Sequence, residues 1–562
     1  MTSPTSQKNT RDELVFLPLG GAGEIGMNLN LYGYGPEKAR QWIMVDLGVT
    51  FGDDRTPGVD LIMPDTAFIE EHADALLGLV LTHAHEDHIG AVAHLWPRLR
   101  CPVYATPFTA ALVRGKLMEA GIEGQVPLNI VPLGSRFALG PFDIELVTLT
   151  HSIPEPNALA IRTPLGLIMH TGDWKIDPDP IVGDDMDITR LTEIGDEGVR
   201  AIVCDSTNVF SPGSSGSEAD VAKSLIEVIR NCEGRVAVTT FASNVARIES
   251  IAKAAEACDR HVVLVGRAMF RLVGAAREAG YLTDLPPFLT EHDVGYLPHD
   301  KVLLICTGSQ GEPRAALARI VDDSHPNVTL SSGDTVIFSS RIIPGNEASI
   351  FELQNRLAQR GIKIITERDH FVHVSGHPCR DELARMYQWI RPEVAIPVHG
   401  EARHLAEHAL LARELQVPEA VVIRNGLMMR IAPGPAEIIG EVPSGRIYLD
   451  GDVLIESDEG AVQERRKLAF AGSVFVSLVL DGSGEVRGDP QVRLHGLPEE
   501  DSRGVSFEER ALDAVDEALN RLPAKRRGDD DAVAELVRRS VRGAIRREWG
   551  KKAQVSVILT RI

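Results

Sequence analysis

The spacing of hydrophobic residues changes twice along the chain, and each part predicts a different set of elements. In the first 200 residues, short apolar runs alternate with turns, which predicts many strands and few helices. These runs are ELVFLPLGG, NLNLYGYG, QWIMVDLG, LGLVLTHAH, FDIELVTLT and LAIRTPLGLIMHTGD. Helical periodicity is confined here chiefly to HIGAVAHLWPRL and TAALVRGKLMEAG. The pattern predicts a layered α/β or α+β domain.

From about residue 201, strand and helix signals alternate. Three apolar runs, AIVCDST, RVAVTTFAS and HVVLVGR, are each followed by a longer helical pattern. KVLLICTGS, TVIFSSR and the helical EASIFELQNRLAQRG come next. This alternation predicts a parallel sheet with crossover helices. A strand signal returns at AIPVHGE and continues through VVIRNGLMMRIAP.

Beyond about residue 455 the composition shifts again. ESDEGAVQERRK predicts a charged connector, and LAFAGSVFVSLVLDG predicts a strand or a pair of strands. Two helical patterns, SFEERALDAVDEALNRL and DAVAELVRRSVRGAIRREW, precede a final strand, QVSVILTRI. The sequence therefore predicts a small separate α/β domain.

The second of these helices carries apolar residues four positions apart, at Val537, Val541 and Ile545. This spacing predicts a stripe buried in the domain core, with long arginine side chains extending beside it into solvent. The alternative is that the arginines contact RNA or a partner protein. They are Arg538, Arg539, Arg542, Arg546 and Arg547.

Composition limits the class of protein. A chain of 562 residues with 44% hydrophobic and 25% charged residues predicts a soluble globular protein of roughly three to four domains. No signal peptide or membrane span is indicated, and the six cysteines are widely spaced. These features predict a cytoplasmic protein with reduced thiols. The net charge of −22 argues against nucleic acid as a partner, although a local basic channel or bound metal reverses such a potential.

The segment GAGEIG, residues 21–26, matches the glycine pattern of dinucleotide-binding proteins. That site requires the last glycine to open a helix, whose N-terminus meets the pyrophosphate. The residues that follow, MNLNLYGYG, alternate like a strand. We therefore interpret GAGEIG as a turn that joins two strands.

The segment LTHAHEDHIG concentrates possible metal ligands. His83 and His85 are two residues apart at the end of a predicted strand, so their side chains share one face and can bind one ion. Asp87 and His88 are adjacent, point in different directions and can reach a second ion. Imidazole and carboxylate together suit Zn²⁺ or Mn²⁺.

Two ions need further ligands, and the sequence offers them after other strands. His151 closes DIELVTLT, Asp173 follows GLIMHTG, and His399 follows VAIP. Two divalent ions, the two aspartates and a bridging hydroxide leave a charge of about +1, which suits an anionic phosphodiester. Water bound to such ions loses a proton near neutral pH and becomes the nucleophile. The predicted reaction is hydrolysis.

The pattern HxHxDH with a later His, Asp and His resembles the metallo-β-lactamase fold. VCDSTN with Asp205, HVSGHP with His377 and PVHGE with His399 resemble motifs A, B and C of the β-CASP nucleases. Further motifs across residues 14–405 are similar to the bacterial ribonuclease J family. They are LGGAGEIGMN, HSIPE, TGDWKID, TFASN, CTGSQGEP, SRIIPGNE and HVSGHP.

The resemblance implies an α/β fold: a metallo-β-lactamase αββα sandwich with an inserted β-CASP parallel-sheet domain and a small C-terminal α/β domain. The implied boundaries are 1–207 and 371–445 for the sandwich, 208–370 for the insert, 446–462 for a linker and 463–562 for the last domain.

The resemblance also implies an activity. The family members are 5′-to-3′ exoribonucleases that prefer a 5′-monophosphate on single-stranded RNA and also act as endonucleases, in mRNA decay and ribosomal RNA maturation. In this family a histidine at position 399 marks members that process RNA, whereas valine marks those directed to DNA. A homodimer or homotetramer built through the C-terminal domain, and an RNA-degradation complex, are the implied assemblies.

Roles are carried over residue by residue. One metal is held by His83, His85 and His151, the other by Asp87, His88 and His399, with Asp173 bridging them. Zn²⁺ is the expected ion, with Mn²⁺ or Mg²⁺ as alternatives that support activity. His377 lies at the scissile phosphate and assists proton transfer, and Asp205 orients ligands. The residues that match the family's RNA-phosphate pocket are Phe241, Ala242, Ser243, His373, Val374, Ser375, Gly376 and His377.

Some family members carry a structural Ca²⁺. Asp46 matches part of that pattern, whereas RIYLDGDVLIESDEG is shorter than the family's glycine-rich version, which leaves Asp450 as the candidate partner.

Two other functions are open to the same metal core. A small-molecule hydrolase does not need an insert of about 160 residues or HVSGHP. A non-catalytic scaffold subunit loses ligands, whereas here every expected ligand is present.

Overall fold

A computed structural model of the chain describes residues 11–343, 345–457, 460–523 and 526–562. The described chain forms two compact units. The first comprises residues up to Thr50 together with Met63–Arg446, and the second comprises Phe51–Ile62 together with Ile447–Ile562.

Two facing β-sheets form the centre of the first unit. Buried apolar residues of both sheets, among them Val45, Val80, Ile168 and Val203, pack in one core between them. In spatial order, the first sheet consists of Glu437–Glu441, Leu427–Ala432, Glu13–Gly20, Leu29–Gly35, Gln41–Val45, Leu76–Val80, Val103–Ala105 and Leu128–Ile130. The second consists of Arg136–Leu139, Phe142–Thr148, Asn157–Thr163, Gly166–His170, Val199–Asp205, Val394–Val398 and Glu419–Ala420.

Helices cover the outer faces of these sheets. Leu191, Leu383 and Leu411, on three helices, pack against Ile202 and Ala395 of the second sheet. These helices are Ile188–Glu197, Arg380–Ile390 and Ala402–Glu414. Helix Pro107–Glu119 packs beside the edge of the first sheet and against helix Val92–Leu99. The predicted αββα sandwich is confirmed.

A five-stranded parallel sheet is inserted into this sandwich. Its strands in spatial order are His261–Val265, Val302–Cys306, Val236–Thr239, Thr335–Phe338 and Lys363–Ile365. The associated helices are Glu218–Arg230, Val245–Ala257, Arg267–Glu278, Ala316–Val321 and Glu347–Gln359. The predicted parallel sheet with crossover helices is confirmed.

The GAGEIG segment is a turn between strands, as predicted. Gly21, Gly23 and Gly26 have positive φ angles, which glycine adopts without steric cost. The next regular element is the strand Leu29–Gly35. Short elements in this unit include Ala22–Gly23 paired with Gly400–Glu401, and the helices Ala67–Glu70 and Glu86–Ile89.

The second unit contains a three-stranded sheet of Gln491–His495, Ser473–Leu480 and Gln554–Arg561. Helices Phe507–Arg521 and Asp530–Trp549 pack on it, and Val537, Val541 and Ile545 are fully buried in the shared core. The core stripe predicted for the last helix is confirmed. Arg538 and Arg539 pair with Glu535 on the same helix.

One prediction for the start of this unit is wrong. Most of the segment taken as a charged connector belongs to the helix Gly460–Ala471, which buries only Val462 and Ala471 and so lacks an apolar stripe. Its last turn also takes up the start of LAFAGSVFVSLVLDG, so that run contains one strand, Ser473–Leu480. The interval 446–462, expected to be a linker, carries the antiparallel strands Arg446–Asp450 and Val453–Glu456.

The structure also bears on the predictions about membrane spans and cysteines. Within the described residues, no helix combines the length and apolarity that a membrane crossing requires. All six cysteines are free thiols.

Candidate metal centre

The predicted ligands lie at the carboxyl ends of strands, where the two sheets bring them to one edge. Strand Leu76–Val80 leads to His83, Gly166–His170 leads to Asp173, and Val394–Val398 leads to His399. Strands Gly166–His170, Val199–Asp205 and Val394–Val398 run parallel, so their carboxyl ends meet. Side chains distant in sequence therefore converge there.

His83, His85 and His151 form what we call the three-histidine cluster. His85 Nδ1 lies 3.1 Å from His83 Nε2 and 3.0 Å from His151 Nε2. His83 and His151 are buried and His85 is half-buried. Burial lowers the pKa values of all three rings, that of His85 to about 4. The imidazoles are therefore neutral at physiological pH, the form that binds metal.

The far nitrogens of two of these rings are held by neighbouring groups. His83 Nδ1 donates to the Thr82 hydroxyl over 3.0 Å, and that hydroxyl donates to Asp46 over 2.8 Å. His151 Nδ1 donates to the carbonyl of Gly376. These bonds place the protons on Nδ1 and leave both Nε2 lone pairs facing the cluster.

Asp87, His88 and His399 form the aspartate–histidine cluster. With Asp173, their ligand atoms lie within 4.8 Å of one another. His88 Nε2 is 3.1 Å from Asp173 Oδ2 and 3.6 Å from Asp87 Oδ2. Burial opposes a charge on His88, but Asp173, Asp87 and Asp46 outweigh it and raise the His88 pKa well above its ordinary value. This cluster contains a carboxylate, whereas the first consists of imidazoles alone.

Asn28 and Asp46 hold the rings of the aspartate–histidine cluster. His399 Nδ1 donates to Asn28 Oδ1 over 2.9 Å, and Asn28 Nδ2 donates to the carbonyl of Asp87 over 2.9 Å. His88 Nδ1 donates to Asp46 Oδ2 over 2.7 Å. Both histidines therefore direct Nε2 toward Asp173.

Asp173 joins the two clusters, since its carboxylate is grouped with the ligand atoms of each. His399, His88 and His377 outweigh the effect of burial and hold the pKa of Asp173 well below its usual range. Asp173 Oδ1 and His399 Nε2 are buried, and neither has a hydrogen-bond partner among the described residues. A buried polar atom without a partner is costly, and a coordinated cation removes that cost. The donor set of imidazole and carboxylate fits two divalent ions.

His377 and Asp205 lie beside this centre. His377 Nδ1 donates to Asp205 Oδ2 over 2.8 Å and is 3.8 Å from Asp173 Oδ2. The other Asp205 oxygen accepts from the backbone and hydroxyl of Thr207. Burial opposes a charge on His377, yet Asp205 and Asp173 raise its pKa to about 9.

The segment 373–376, matched to the phosphate pocket, lies against the three-histidine cluster. A Cβ on Gly376 would stand 2.7 Å from a ring atom of His151, so only glycine fits there without displacement. Ser375 Oγ accepts from Asn208 Nδ2 over 2.7 Å. Val374 is buried, whereas His373, Ser375 and Gly376 are half-buried.

A buried ion pair fixes the segment before His373. Arg247 and Glu218 pair at 3.0 Å, with both side chains almost completely buried. Arg247 Nη1 also donates to the carbonyl of Val372 over 3.0 Å. His373 Nδ1 is buried and has no partner among the described residues. Burial and the nearby Arg247, Arg341 and Lys175 lower the His373 pKa well below its usual value.

Phe241, Ala242 and Ser243 are half-buried and directly precede helix Val245–Ala257. Asn244 caps this helix by accepting from the backbone of Arg247 over 2.8 Å. The three residues thus lie at a helix N-terminus, where unpaired N–H groups favour anions.

The two calcium candidates have other partners. Asp46 Oδ1 accepts from the backbone of Thr82, and Oδ2 accepts from Thr82 and His88. Asp450 pairs with Arg465. The calcium site stays an untested prediction, and these contacts do not favour it.

Sequence reasoning missed several groups that orient ligands: Asn28, Thr82, Thr207 and Asn208, together with the orienting contacts of Asp46. Each stands inside or next to a motif, in GEIGMN, VDLG, LTHAH and VCDSTN. A polar residue next to a predicted ligand was the only sequence signal for such a role. It did not identify the hydrogen-bond partner, which often lies far away in the sequence.

Family models cover most of the chain. Residues 42–190 match the beta-lactamase superfamily domain, and residues 361–422 match the Zn-dependent metallo-hydrolase RNA specificity domain. Residues 233–357 match the ribonuclease J beta-CASP domain, and residues 460–562 match the ribonuclease J C-terminal domain.

Curated relatives agree with these models along nearly the full length. Ribonuclease J of Sinorhizobium meliloti is 52% identical over 551 residues, which are 98% of this chain and 98% of that protein. The chain belongs to the ribonuclease J family. Ribonuclease J of Mycolicibacterium smegmatis is 40% identical over 93% of both chains, and that of Corynebacterium glutamicum is 38% identical over 98% of this chain and 76% of that protein.

Membership of the ribonuclease J family makes the chain a metal-dependent ribonuclease, which excludes the small-molecule hydrolase and the scaffold as its class. A crystal structure of a protein of unknown function from Enterococcus faecalis V583 is similar in fold, with 17% identity and a TM-score of 0.50. It covers 74% of this chain and 100% of that one.

Proposed function

We propose that this ribonuclease hydrolyses single-stranded RNA from the 5′ end toward the 3′ end, prefers a 5′-monophosphate and also cuts internally. We further propose that it acts in mRNA decay and ribosomal RNA maturation in the cytoplasm, as a homodimer or homotetramer and as part of an RNA-degradation complex.

One observation carries the hydrolytic part of the proposal: three groups of side chains share Asp173. They are the three-histidine cluster, the aspartate–histidine cluster and the His377–Asp205 pair. Two divalent ions, Zn²⁺ in the first instance and Mn²⁺ or Mg²⁺ as alternatives, would supply Lewis acidity and the activation of water when bound. His83, His85 and His151 would hold one ion, Asp87, His88 and His399 the other, with Asp173 contributing to both.

The chain's own residues then handle the leaving group. Water adds to phosphorus, the bond from phosphorus to the 3′ oxygen breaks, and that oxygen must receive a proton. His377 is placed to donate it, because Asp205 accepts from Nδ1 and leaves Nε2 free to face substrate. Asp205 is fixed in turn by Thr207, so the ring has one orientation.

The preference for a 5′-monophosphate rests on the pocket residues. His373 has a buried nitrogen without a partner among the described residues, and the nearby Arg247, Arg341 and Lys175 lower its pKa. Arg247 and Lys175 pair with Glu218 and Asp177, whereas Arg341 is exposed and supplies a positive charge. Ser243 adds a hydroxyl at the start of helix Val245–Ala257. Donors, positive charge and a helix N-terminus together favour a phosphate group. We infer that binding of an anionic RNA end to a chain of net charge −22 depends on this local arrangement rather than on the total charge.

The test is a digestion series on one RNA sequence bearing a 5′-monophosphate, a 5′-triphosphate or a 5′-hydroxyl, in Mn²⁺ and in Zn²⁺. We expect mononucleotides from the monophosphate end, slower release from the other two ends, and loss of cleavage in His88→Ala and His377→Ala.

Equal activity of His88→Ala and the wild type would rule out the two-metal centre. Equal rates on all three 5′ ends would leave a ribonuclease without the proposed preference. Size-exclusion chromatography with light scattering, on the full chain and on a chain ending at residue 457, tests whether the C-terminal domain forms the oligomer.

A further inference from the structure

We propose that Phe210 and Arg403 form a stacking platform for one base of single-stranded RNA, a subsite that rests on the proposed function. The Arg403 guanidinium carbon lies 5.8 Å from the centre of the Phe210 ring. Phe210 is 52% exposed and the Arg403 side chain is 64% exposed. Both groups therefore present flat surfaces to solvent.

The loop that carries Phe210 is anchored by the core and by backbone hydrogen bonds. Its neighbour Val209 is fully buried in the sandwich core, which fixes the backbone and leaves Phe210 outside. Ser211 N donates to the carbonyl of Asn208 over 2.8 Å, and Arg380 N donates to the carbonyl of Ser211 over 2.9 Å. A platform held in place before RNA arrives loses little conformational entropy on binding.

Both residues are tied to the catalytic centre through short chain segments. Asn208, two residues before Phe210, donates to Ser375 Oγ and to the carbonyl of His377. Arg403 is four residues after His399, whose carbonyl accepts from Thr207. The platform thus belongs to the two segments that carry Asp205 and His399.

The chemistry of the pair suits a nucleobase. Bases stack on aromatic rings whatever their identity, and an arginine beside the ring adds cation–π attraction. Arg403 Nε donates to Glu401 Oε2 over 2.9 Å, which holds the guanidinium in place beside the ring. A single exposed phenylalanine is common on protein surfaces and needs no explanation of its own. The rigid loop, the arginine and the connection to the centre distinguish this one.

The contact between Phe210 and His404 indicates an alternative role for Phe210, which is packing. The His404 ring centre lies 5.4 Å from that of Phe210, and His404 Nδ1 is buried without a hydrogen-bond partner among the described residues. Phe210 could therefore act only as packing over His404. A packing role changes thermal stability, whereas a platform changes the environment of a base.

The experiment uses nuclease-resistant 2′-O-methyl oligoribonucleotides with a 5′-monophosphate and a single 2-aminopurine moved along the strand. Stacking quenches 2-aminopurine fluorescence, so the wild type should quench it strongly at one position. In Phe210→Ala we expect that quenching to disappear and RNA affinity to fall about tenfold, whereas Phe210→Trp should retain both. The control, Phe351→Ala, removes an aromatic ring of similar exposure, 43%, from helix Glu347–Gln359 and should behave as the wild type.

Unchanged quenching and affinity in Phe210→Ala would overturn the platform while the RNA digestion series still stands. Loss of thermal stability in Phe210→Ala with unchanged quenching would assign Phe210 to packing. If the wild type binds the oligonucleotides but cleaves no RNA, the proposed function fails and the quenching still decides the platform. If the wild type does not bind them, both fail.

Discussion

The two ligand clusters differ in charge and in what holds them. The three-histidine cluster consists of neutral rings, and its outer contacts run to a hydroxyl and a backbone carbonyl. The aspartate–histidine cluster contains a carboxylate, and its outer contacts run to Asp46 and Asn28. Asp173 is common to both. We infer that burial determines the pKa values of the histidines in the first cluster, whereas neighbouring carboxylates determine that of His88 in the second.

The two clusters therefore differ in how strongly protons compete with a metal ion for the ligands. Buried imidazoles have their pKa values lowered, so little proton competition opposes the ion. In the second cluster carboxylates raise the pKa of His88, so the ion must displace a proton but meets a stronger field. The predictions below separate the clusters, in order of decreasing effect.

The largest effect is expected at the shared ligand. Asp173→Asn should reduce bound metal in both clusters and lower the rate of RNA cleavage on the order of 10³-fold, because several kcal/mol of charge stabilisation are removed. The measurement is metal per chain by elemental analysis together with single-turnover cleavage. Asp179→Asn, an exposed carboxylate of the same loop, is the control. Full metal content in Asp173→Asn would contradict the bridging role.

A smaller and selective effect is expected when one cluster loses a histidine. His151→Gln should lower the metal content by about one ion per chain, and His399→Gln should do the same through the other cluster. The remaining ion should be bound more tightly in the aspartate–histidine cluster, because of its charge. Competition with a graded series of chelators measures this, and equal affinities would show that the difference in charge does not matter.

Asp46 is expected to influence both clusters without binding metal. It accepts from His88 directly and from Thr82, which in turn holds His83. Asp46→Asn should therefore weaken both ions about 10- to 100-fold. Titration of the metal-free protein with Zn²⁺ checks this, and a loss confined to one ion would break the proposed sharing.

The smallest effects on metal affinity are expected from variants that remove a contact behind one cluster only. Thr82→Val removes the hydroxyl behind His83, and Asn28→Leu removes the amide behind His399. Each should weaken one ion about tenfold and leave the other nearly unchanged. A swapped pattern, with Thr82→Val acting on the aspartate–histidine cluster, would refute the assignment of these contacts.

The residues that the structure brings together could be named from the sequence because their signals are local. His83 and His85 share a strand-end spacing, and Asp173 and His399 each follow an apolar run. The structure brings these residues together, while metal binding itself stays a prediction. The sheets of the sandwich and of the insert were predictable for the same reason, since buried strands show as short apolar runs.

Contacts between distant segments had no such signal. Asn28 and His399 are separated by 371 positions, and only the fold shows that they share a hydrogen bond. Helix Gly460–Ala471 was missed for a different reason, because it buries only two residues and its polar surface resembles a connector. Local periodicity reports burial, so an element with little burial is not visible to it.

The bond from His151 to the carbonyl of Gly376 has a thermodynamic consequence. Gly376 belongs to the segment that also carries His373 and His377, so one backbone stretch touches both a metal ligand and the proposed RNA pocket. Any RNA that fixes this stretch also fixes His151, and any ion that fixes His151 also fixes the stretch. By linkage, metal in the three-histidine cluster and RNA in the pocket should strengthen each other's binding by the same factor.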